Sequence, residues 1–226
     1  SRMADFVQAK RLKLRPHGKM HKSADVAALQ MRIGGAVGLC CQKASEAEAF
    51  VRAGITDIVV SNEVRQPVML DRLAALAAKG ARIAVCVDDA GGVADLSAAA
   101  LAAEAELGCL VEIDCGAGRC GVPDAPSAVA LARGIWSAPG LRFEGIQAYQ
   151  GALQHVEKAE DRAAAFAKVE RVVRSVLEAL AAAGLPCPTV TGGGTGSYEM
   201  EAASGLYTEL QCGSYAFMDA DYGRVR

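Results

Sequence analysis

The sequence predicts an α/β protein folded as a closed TIM-type (β/α)8 barrel, and three observations lead there. Eight short apolar runs alternate with stretches of helical periodicity along the 226 residues. Each run is apolar at consecutive positions, as strands buried on both faces are, so the sheet is expected to be parallel and covered by helices. Eight strand–helix units in a chain of this length suit a closed barrel better than an open doubly wound sheet.

The opening segment 2–10 sets Met3, Phe6, Val7 and Lys10 at helical spacing, a helix placed to cover the seam between the last strand and the first. RLKLRPH is the first strand run, followed by the helical KSADVAALQMRIGG. AVGLCCQ precedes KASEAEAFVRAG, TDIVVSN precedes QPVMLDRLAALAAKG, RIAVCVDD precedes GGVADLSAAALAAEAELG, and CLVEIDCG precedes DAPSAVALARGIWSAPG. FEGIQAYQG leads into the long EKAEDRAAAFAKVERVVRSVLEALAAAG and PTVTGGG into the short SYEMEAASG. ELQCGSYAFM closes the series near Met218. Ser45 with Glu48 reads as a capping box, and Gly34, Gly54, Gly80, Gly108 and Gly184 as helix stops. No repeat or linker divides the chain, so one domain over residues 1–226 is predicted. It starts inside a helix and stops at DADYGRVR without a terminal element, as a fragment or the ordered part of a longer chain would.

Composition narrows the function. An alanine-rich chain with 52% hydrophobic and 5% aromatic residues has the profile of a soluble α/β domain. A formal net charge of −2 with scattered cations offers no footprint for nucleic acid or an anionic membrane. No apolar run approaches the roughly 20 residues that span a bilayer. SRMADFVQAK lacks a secretory apolar core, so a cytoplasmic protein is expected. Of the eight cysteines, Cys40, Cys41, Cys86, Cys109, Cys115 and Cys212 sit in or beside apolar runs and read as reduced core thiols, and the absence of C-x-x-C argues against zinc.

In a β/α barrel chemistry gathers where strands run into their following loops. Those ends carry His17, Lys19 and His21, then Gln42, then Asn62 and Glu63, then Asp88, then Asp114 and Arg119. The sixth brings Tyr149, Gln150 and His155, the seventh GGGTGS, and the eighth Gln211, Gly213, Ser214 and Tyr215. GGGTGS opens a short helix and reads either as a phosphate cradle of backbone N–H groups or as a plain glycine turn. Lys19 reads either as an exposed loop lysine or as an amine for carbonyl chemistry. A strand-end lysine with a phosphate cradle across the barrel suggests pyridoxal phosphate, whose aldehyde a lysine captures while the fold grips the phosphate.

RPHGKMHKS, CCQKASEAEAF, SNEV, CVDD, VEIDCGAGRCGV, GIQAYQGALQH, GGGTGS and ELQCGSYAFMDADYG together resemble the D-threonine aldolase and 3-hydroxy-D-aspartate aldolase group. These are fold-type III pyridoxal-phosphate enzymes with an alanine-racemase-like N-terminal barrel, and the likeness runs from about Leu12 to Tyr222. The resemblance implies that Lys19 is the Schiff-base lysine, that Arg119 lies near the cofactor's phenolic oxygen, and that Tyr149 packs at the cofactor beside the substrate. It implies that Gly194, Thr195, Gly213, Ser214 and Tyr215 hold the phosphate. Gln211 falls where racemases place an arginine against the pyridine nitrogen, and a neutral amide there is expected to leave that nitrogen less fully protonated.

His155, just past the sixth strand, is the candidate base for the β-hydroxyl proton, with a structural role as the alternative. His17 and His21 are four apart but off a helix, so they read as support for Lys19 rather than as a metal pair. The resemblance also implies a second, mostly β domain, absent from this chain. That domain supplies the ligands of a divalent metal, Mg or Mn, so no metal ligand is assigned here. A homodimer is expected of the full-length form. The implied reaction is retro-aldol cleavage of a β-hydroxy-D-amino acid to glycine and an aldehyde. Met20 and Gln150 lean toward 3-hydroxy-D-aspartate over D-threonine. The alternatives are a D-serine or 3-hydroxyaspartate dehydratase on the same fold, and a non-catalytic pyridoxal-phosphate carrier.

Overall fold

The computed structural model of the chain describes residues 2–225. Eight strands run parallel in one sheet: β1 (Lys13–Leu14), β2 (Leu39–Cys41), β3 (Asp57–Val60), β4 (Arg82–Val87), β5 (Leu107–Glu112), β6 (Leu141–Ala148), β7 (Thr189–Gly192) and β8 (Glu209–Leu210). Chain order is kept around the sheet from β2 to β8, and β1 pairs with β8. The remaining gap is bridged by a parallel pairing of His17 with Cys40. The N–H groups of Val37 and Cys40 also donate across it to the carbonyls of Leu14 and Pro16, each at 2.9 Å. The eight predicted units thus form a parallel β/α barrel whose thinnest seam lies between β1 and β2. Pro16 explains the thinness, since it has no N–H to give the ladder.

Helix α1 (Arg2–Lys10) precedes β1, and Met3 and Val7 on it pack with Leu14, Leu210 and Cys212, covering the β8–β1 seam as the sequence suggests. Helices α2 (Ala24–Arg32), α3 (Ala44–Arg52), α4 (Pro67–Ala78), α5 (Ala90–Ala102), α6 (Ala125–Ser137), α7 (Ala159–Ala182) and α8 (Tyr198–Ser204) follow β1 to β7 in turn. No helix among the described residues is long and apolar enough to cross a membrane. All eight cysteines are free, six of them buried.

Three local readings need correction. Ser45 does not cap α3: the cap is Lys43, Glu46 reaches back to the Gln42 N–H, and Glu48 is drawn away by Arg52 and Arg72. Gly108 stops no helix but lies inside β5, where an added Cβ would meet Glu144 Oε1 at 2.3 Å. The last strand ends at Leu210, well short of Met218, because the chain turns at Gly213 against the end of β1. An added Cβ on Gly213 would stand 2.7 Å from the His17 carbonyl oxygen.

Side-chain alternation then divides the strands into two sets. Leu39, Ile58, Val60, Ile83, Val85, Cys109, Val111, Ile146 and Val190 point into the layer shared with the helices. The opposite parity fills the barrel, and among the described residues Val59, Ala84, Cys86 and Leu110 make an apolar belt there. Below it Arg15, 4% exposed, donates to Glu209 at 3.0 Å and Asp57 at 2.7 Å, and Glu209 also accepts from Thr191. Arg82 extends this ion network to Asp57 and Glu144. Above the belt the interior is again polar, and there the cavity opens.

Candidate active site

A cavity at the C-terminal end of the barrel is lined by His17, Lys19, Met20, Gln42, Ser61, Asn62, Arg119, Gln147, Tyr149, Gly194, Thr195, Gln211, Gly213, Ser214 and Tyr222. Lys19 and Arg119 bring positive charge to this lining, and no carboxylate belongs to it. Such a site suits a ligand carrying negative charge.

Lys19 sits in a 3-10 turn, Gly18–Met20, directly after the His17–Cys40 bridge. His17 caps that turn: its Nδ1 accepts the Lys19 N–H at 3.3 Å. A neutral ring accepting at Nδ1 carries its proton on Nε2. Nε2 therefore donates to Ser61 Oγ at 3.2 Å, and Ser61 passes its own proton to the Cys41 carbonyl. Burial, reinforced by the charges of Lys19 and His21, pushes His17 down to about 3, which keeps this relay neutral. His21 holds the far side of the turn, accepting from Ser23 N–H and bonding Gln30, which donates to the Tyr215 hydroxyl. The two histidines thus frame the lysine turn.

Because β1, β8 and β7 are neighbours, GGGTGS lies two strands from Lys19 and not across the barrel. The loop is shaped by packing as well as by conformation. Gly193 has φ +73°, and an added Cβ on Gly196 would lie 2.6 Å from the Gln154 carbonyl. Gln154, 1% exposed, accepts from Gly196 N–H at 2.8 Å and donates to Ser197 Oγ at 2.7 Å. Ser197 donates on to Glu201, which burial pushes up to about 7. A carboxyl that holds its proton more tightly than usual repels an anion above it less than an ordinary carboxylate would. The N–H groups of Gly194, Thr195, Gly213 and Ser214 find no acceptor among the described residues. With the hydroxyls of Thr195 and Ser214 they form a donor set of the kind that holds a phosphate. Together with the free amine of Lys19, this set fits pyridoxal phosphate.

Arg119 is carried by a loop that Asp114 folds, its Oδ1 accepting from Gly116 and Gly118 at 2.9 and 3.0 Å. Tyr149, raised to about 12 chiefly by burial, stays a neutral phenol at the cavity wall. Two of the residues assigned a catalytic or cofactor-binding role lie outside the lining. Tyr215 instead uses its N–H to fix Thr195 Oγ1 at 3.0 Å. His155 is exposed at the end of a 3-10 turn, with its ring 5.8 Å from that of Tyr222 at the rim. Gln150, one of the two residues read for substrate choice, is buried and caps that same turn through Ala152 N–H. Met20, the other, lines the cavity, with Ser214 Oγ 3.6 Å from its sulfur.

The sequence reading missed Ser61, Gln147, Tyr222 and the buried supports Glu112 and Gln154. Parity is the signal for two of them: Gln147 is two residues before Tyr149, and Ser61 two after Val59, so each shares its neighbour's inward face.

Glu63, Asp88 and Cys120 bring three potential metal ligand atoms within 4.8 Å of one another. Asp88 is already engaged by Gly121 N–H at 3.0 Å. Burial and the carboxylate of Glu63 raise the Cys120 thiol. No metal ligand is assigned among these residues.

The alanine racemase N-terminal domain profile matches residues 2–221. A 3-hydroxy-D-aspartate aldolase of Paracoccus denitrificans (strain Pd 1222) is 57% identical over 224 residues, 99% of this chain and 58% of the relative. A D-threonine aldolase of Arthrobacter sp is 50% identical over 210 residues, covering 93% of this chain and 55% of that one. The crystal structure of D-threonine aldolase from Filomicrobium marinum superposes with a TM-score of 0.97 at 49% identity, covering 99% of this chain and 60% of that chain. The chain thus spans little more than half the length of these relatives.

Proposed function

The chain belongs to the alanine racemase N-terminal domain family, and from that premise we propose that it is the cofactor-binding barrel of a pyridoxal-phosphate-dependent lyase. Its substrate is a β-hydroxy-D-amino acid of the 3-hydroxy-D-aspartate or D-threonine type, and its products are glycine and glyoxylate or acetaldehyde. The observation that carries this reading is the cavity that sets a free lysine amine beside a cluster of unpaired phosphate donors. The names of its close relatives, both aldolases, support the same substrate class.

When bound, the cofactor supplies an electron sink for the bond that breaks. The chain's own residues do the rest. Lys19 would offer an amine to the cofactor's aldehyde, on a turn fixed by His17 and His21. Gly194, Thr195, Gly213 and Ser214 hold the phosphate, with Tyr215 keeping the Thr195 hydroxyl in place. Arg119 would supply a positive charge near the phenolic oxygen, and Tyr149 would wall the substrate side. Gln211 would face the ring nitrogen. His155, at the rim behind Tyr222, takes the proton of the β-hydroxyl. No step is assigned to a metal held by this chain.

Borohydride reduction of the cofactor-loaded full-length protein followed by peptide mapping is expected to place the pyridoxyl mass on Lys19, and a label on another lysine overturns the assignment. Incubation of that protein with 3-hydroxy-D-aspartate and with D-threonine is expected to yield glycine. Ammonia with oxaloacetate would instead identify a dehydratase, and loading without turnover a carrier.

A further inference from the structure

A chain of three buried side chains starts at Gln211 and runs inward. Gln211 Nε2 lies 2.8 Å from Gln147 Oε1, and Gln147 Nε2 lies 2.6 Å from Glu112 Oε2 and 3.2 Å from the Ser61 carbonyl oxygen. Glu112 and Gln147 are each 2% exposed and Gln211 5%, so these bonds compete with little water.

An amide can in principle sit either way round, and here its surroundings choose. A backbone carbonyl only accepts, so the end of Gln147 that faces Ser61 is its NH2 group. The oxygen of Gln147 therefore faces Gln211, and Gln211 must turn its own NH2 toward that oxygen. This holds whether Glu112 is ionised or protonated, because the Ser61 carbonyl accepts in either case. Gln211 Oε1 has no hydrogen-bond partner among the described residues, while Gln211 lines the cavity.

We propose that Gln147, anchored by Glu112 and the Ser61 carbonyl, is a positioning residue that presents Gln211 to the cofactor's ring nitrogen as a hydrogen-bond acceptor and so holds that nitrogen protonated. The inference rests on the reading of the cavity as a pyridoxal-phosphate site. It reverses the expectation drawn from residue type alone, that a neutral amide leaves the nitrogen less fully protonated. An unprotonated ring nitrogen against an oxygen acceptor sets lone pair against lone pair, whereas a protonated one donates a charge-assisted bond. The interaction favours the protonated ring, the stronger electron sink.

The test is the 15N chemical shift of ring-labelled pyridoxal phosphate in the full-length protein, with occupancy measured separately from released cofactor. The wild type is expected to show the protonated signal. Gln147→Leu frees the Gln211 amide to turn and donate, and is expected to lose most of that signal. Gln147→Leu combined with Gln211→Glu builds in an acceptor that needs no orientation, and is expected to regain it. Should Gln147→Leu fail to fold, Gln211→Arg replaces the acceptor by donors and is expected to lose the signal. An unprotonated wild type overturns the proposal, as does a signal kept in Gln147→Leu or, where that variant fails to fold, in Gln211→Arg. A wild-type protein that binds no cofactor overturns the cofactor reading instead.

Discussion

At the scale of single residues the site depends on who keeps a proton and who faces the cavity. Retro-aldol cleavage needs the β-hydroxyl deprotonated as the carbon–carbon bond breaks, and a positioned base contributes a factor of about 10²–10⁴. Cofactor binding needs nothing from His155, which stands outside the cavity lining. His155→Ala in the full-length protein should therefore keep cofactor absorbance and affinity while turnover falls at least about a hundredfold. Turnover within a few-fold of wild type would make its tilted contact with the Tyr222 ring a structural role. Glu201 gives a pH-dependent signature of another kind. Its folded-state value of about 7 lies above the ordinary 4.5, so the folded chain holds a proton that the unfolded chain has released between those values. Stability from this group is full at low pH and is lost as pH rises toward 7. Glu201→Gln should gain on the wild type by about 1–3 kcal/mol between pH 5 and 8 in urea unfolding. A constant difference across that range would show that Glu201 ionises as readily folded as unfolded. His17, depressed to about 3, contributes in the opposite sense below its ordinary 6.5, which is why the variant must be compared with the wild type at each pH.

At the scale of elements, the alternation of apolar runs with helical stretches marked all eight strands and all eight helices, because helix-covered parallel strands must be apolar on their outward face at least. Boundaries were less legible. Ser45 and Glu48 match a capping box in spacing, yet Glu48 is taken by Arg52 and Arg72, a long-range partner that no local pattern discloses. Polar side chains inside apolar runs were the other blind spot. Gln147, Glu112 and Glu209 face the barrel interior through strand parity, and their partners lie on strands distant in sequence. The lower polar layer shows the energetic consequence. Arg15 and Glu209 are 4% and 2% exposed, and removing one buried partner costs roughly 3–5 kcal/mol because the other charge is left uncompensated. Arg15→Met should lower unfolding stability by about that amount, and adding Glu209→Leu should recover a large part of it. If the double variant is as unstable as the sum of the singles, the pair is not the source of the loss.

For the whole molecule, closure of the barrel and assembly of the site should be coupled, because the seam leads into the Lys19 turn. The β4–β5 ladder and the long β5–β6 ladder join strands of six to eight residues, whereas β1 and β8 have two each and the β1–β2 gap is held by a single bridge and two N–H bonds. The opening free energy should therefore be least where the chemistry is greatest, since the His17–Cys40 bridge leads straight into the Lys19 turn and Gly213 packs on the His17 carbonyl. A ligand that joins Lys19 to donors on the β7 and β8 loops ties three consecutive staves of the barrel together, and it stabilises whatever must close to bind it. Native-state hydrogen exchange of the full-length protein should find the amides of Val37 and Cys40 exchanging at least about tenfold faster than those of Val85 and Cys109 without cofactor. Loading with pyridoxal phosphate should narrow that difference by slowing the seam amides selectively. Equal protection of seam and central strands in the cofactor-free protein, or loading that slows every amide alike, would mean that the barrel closes independently of its site.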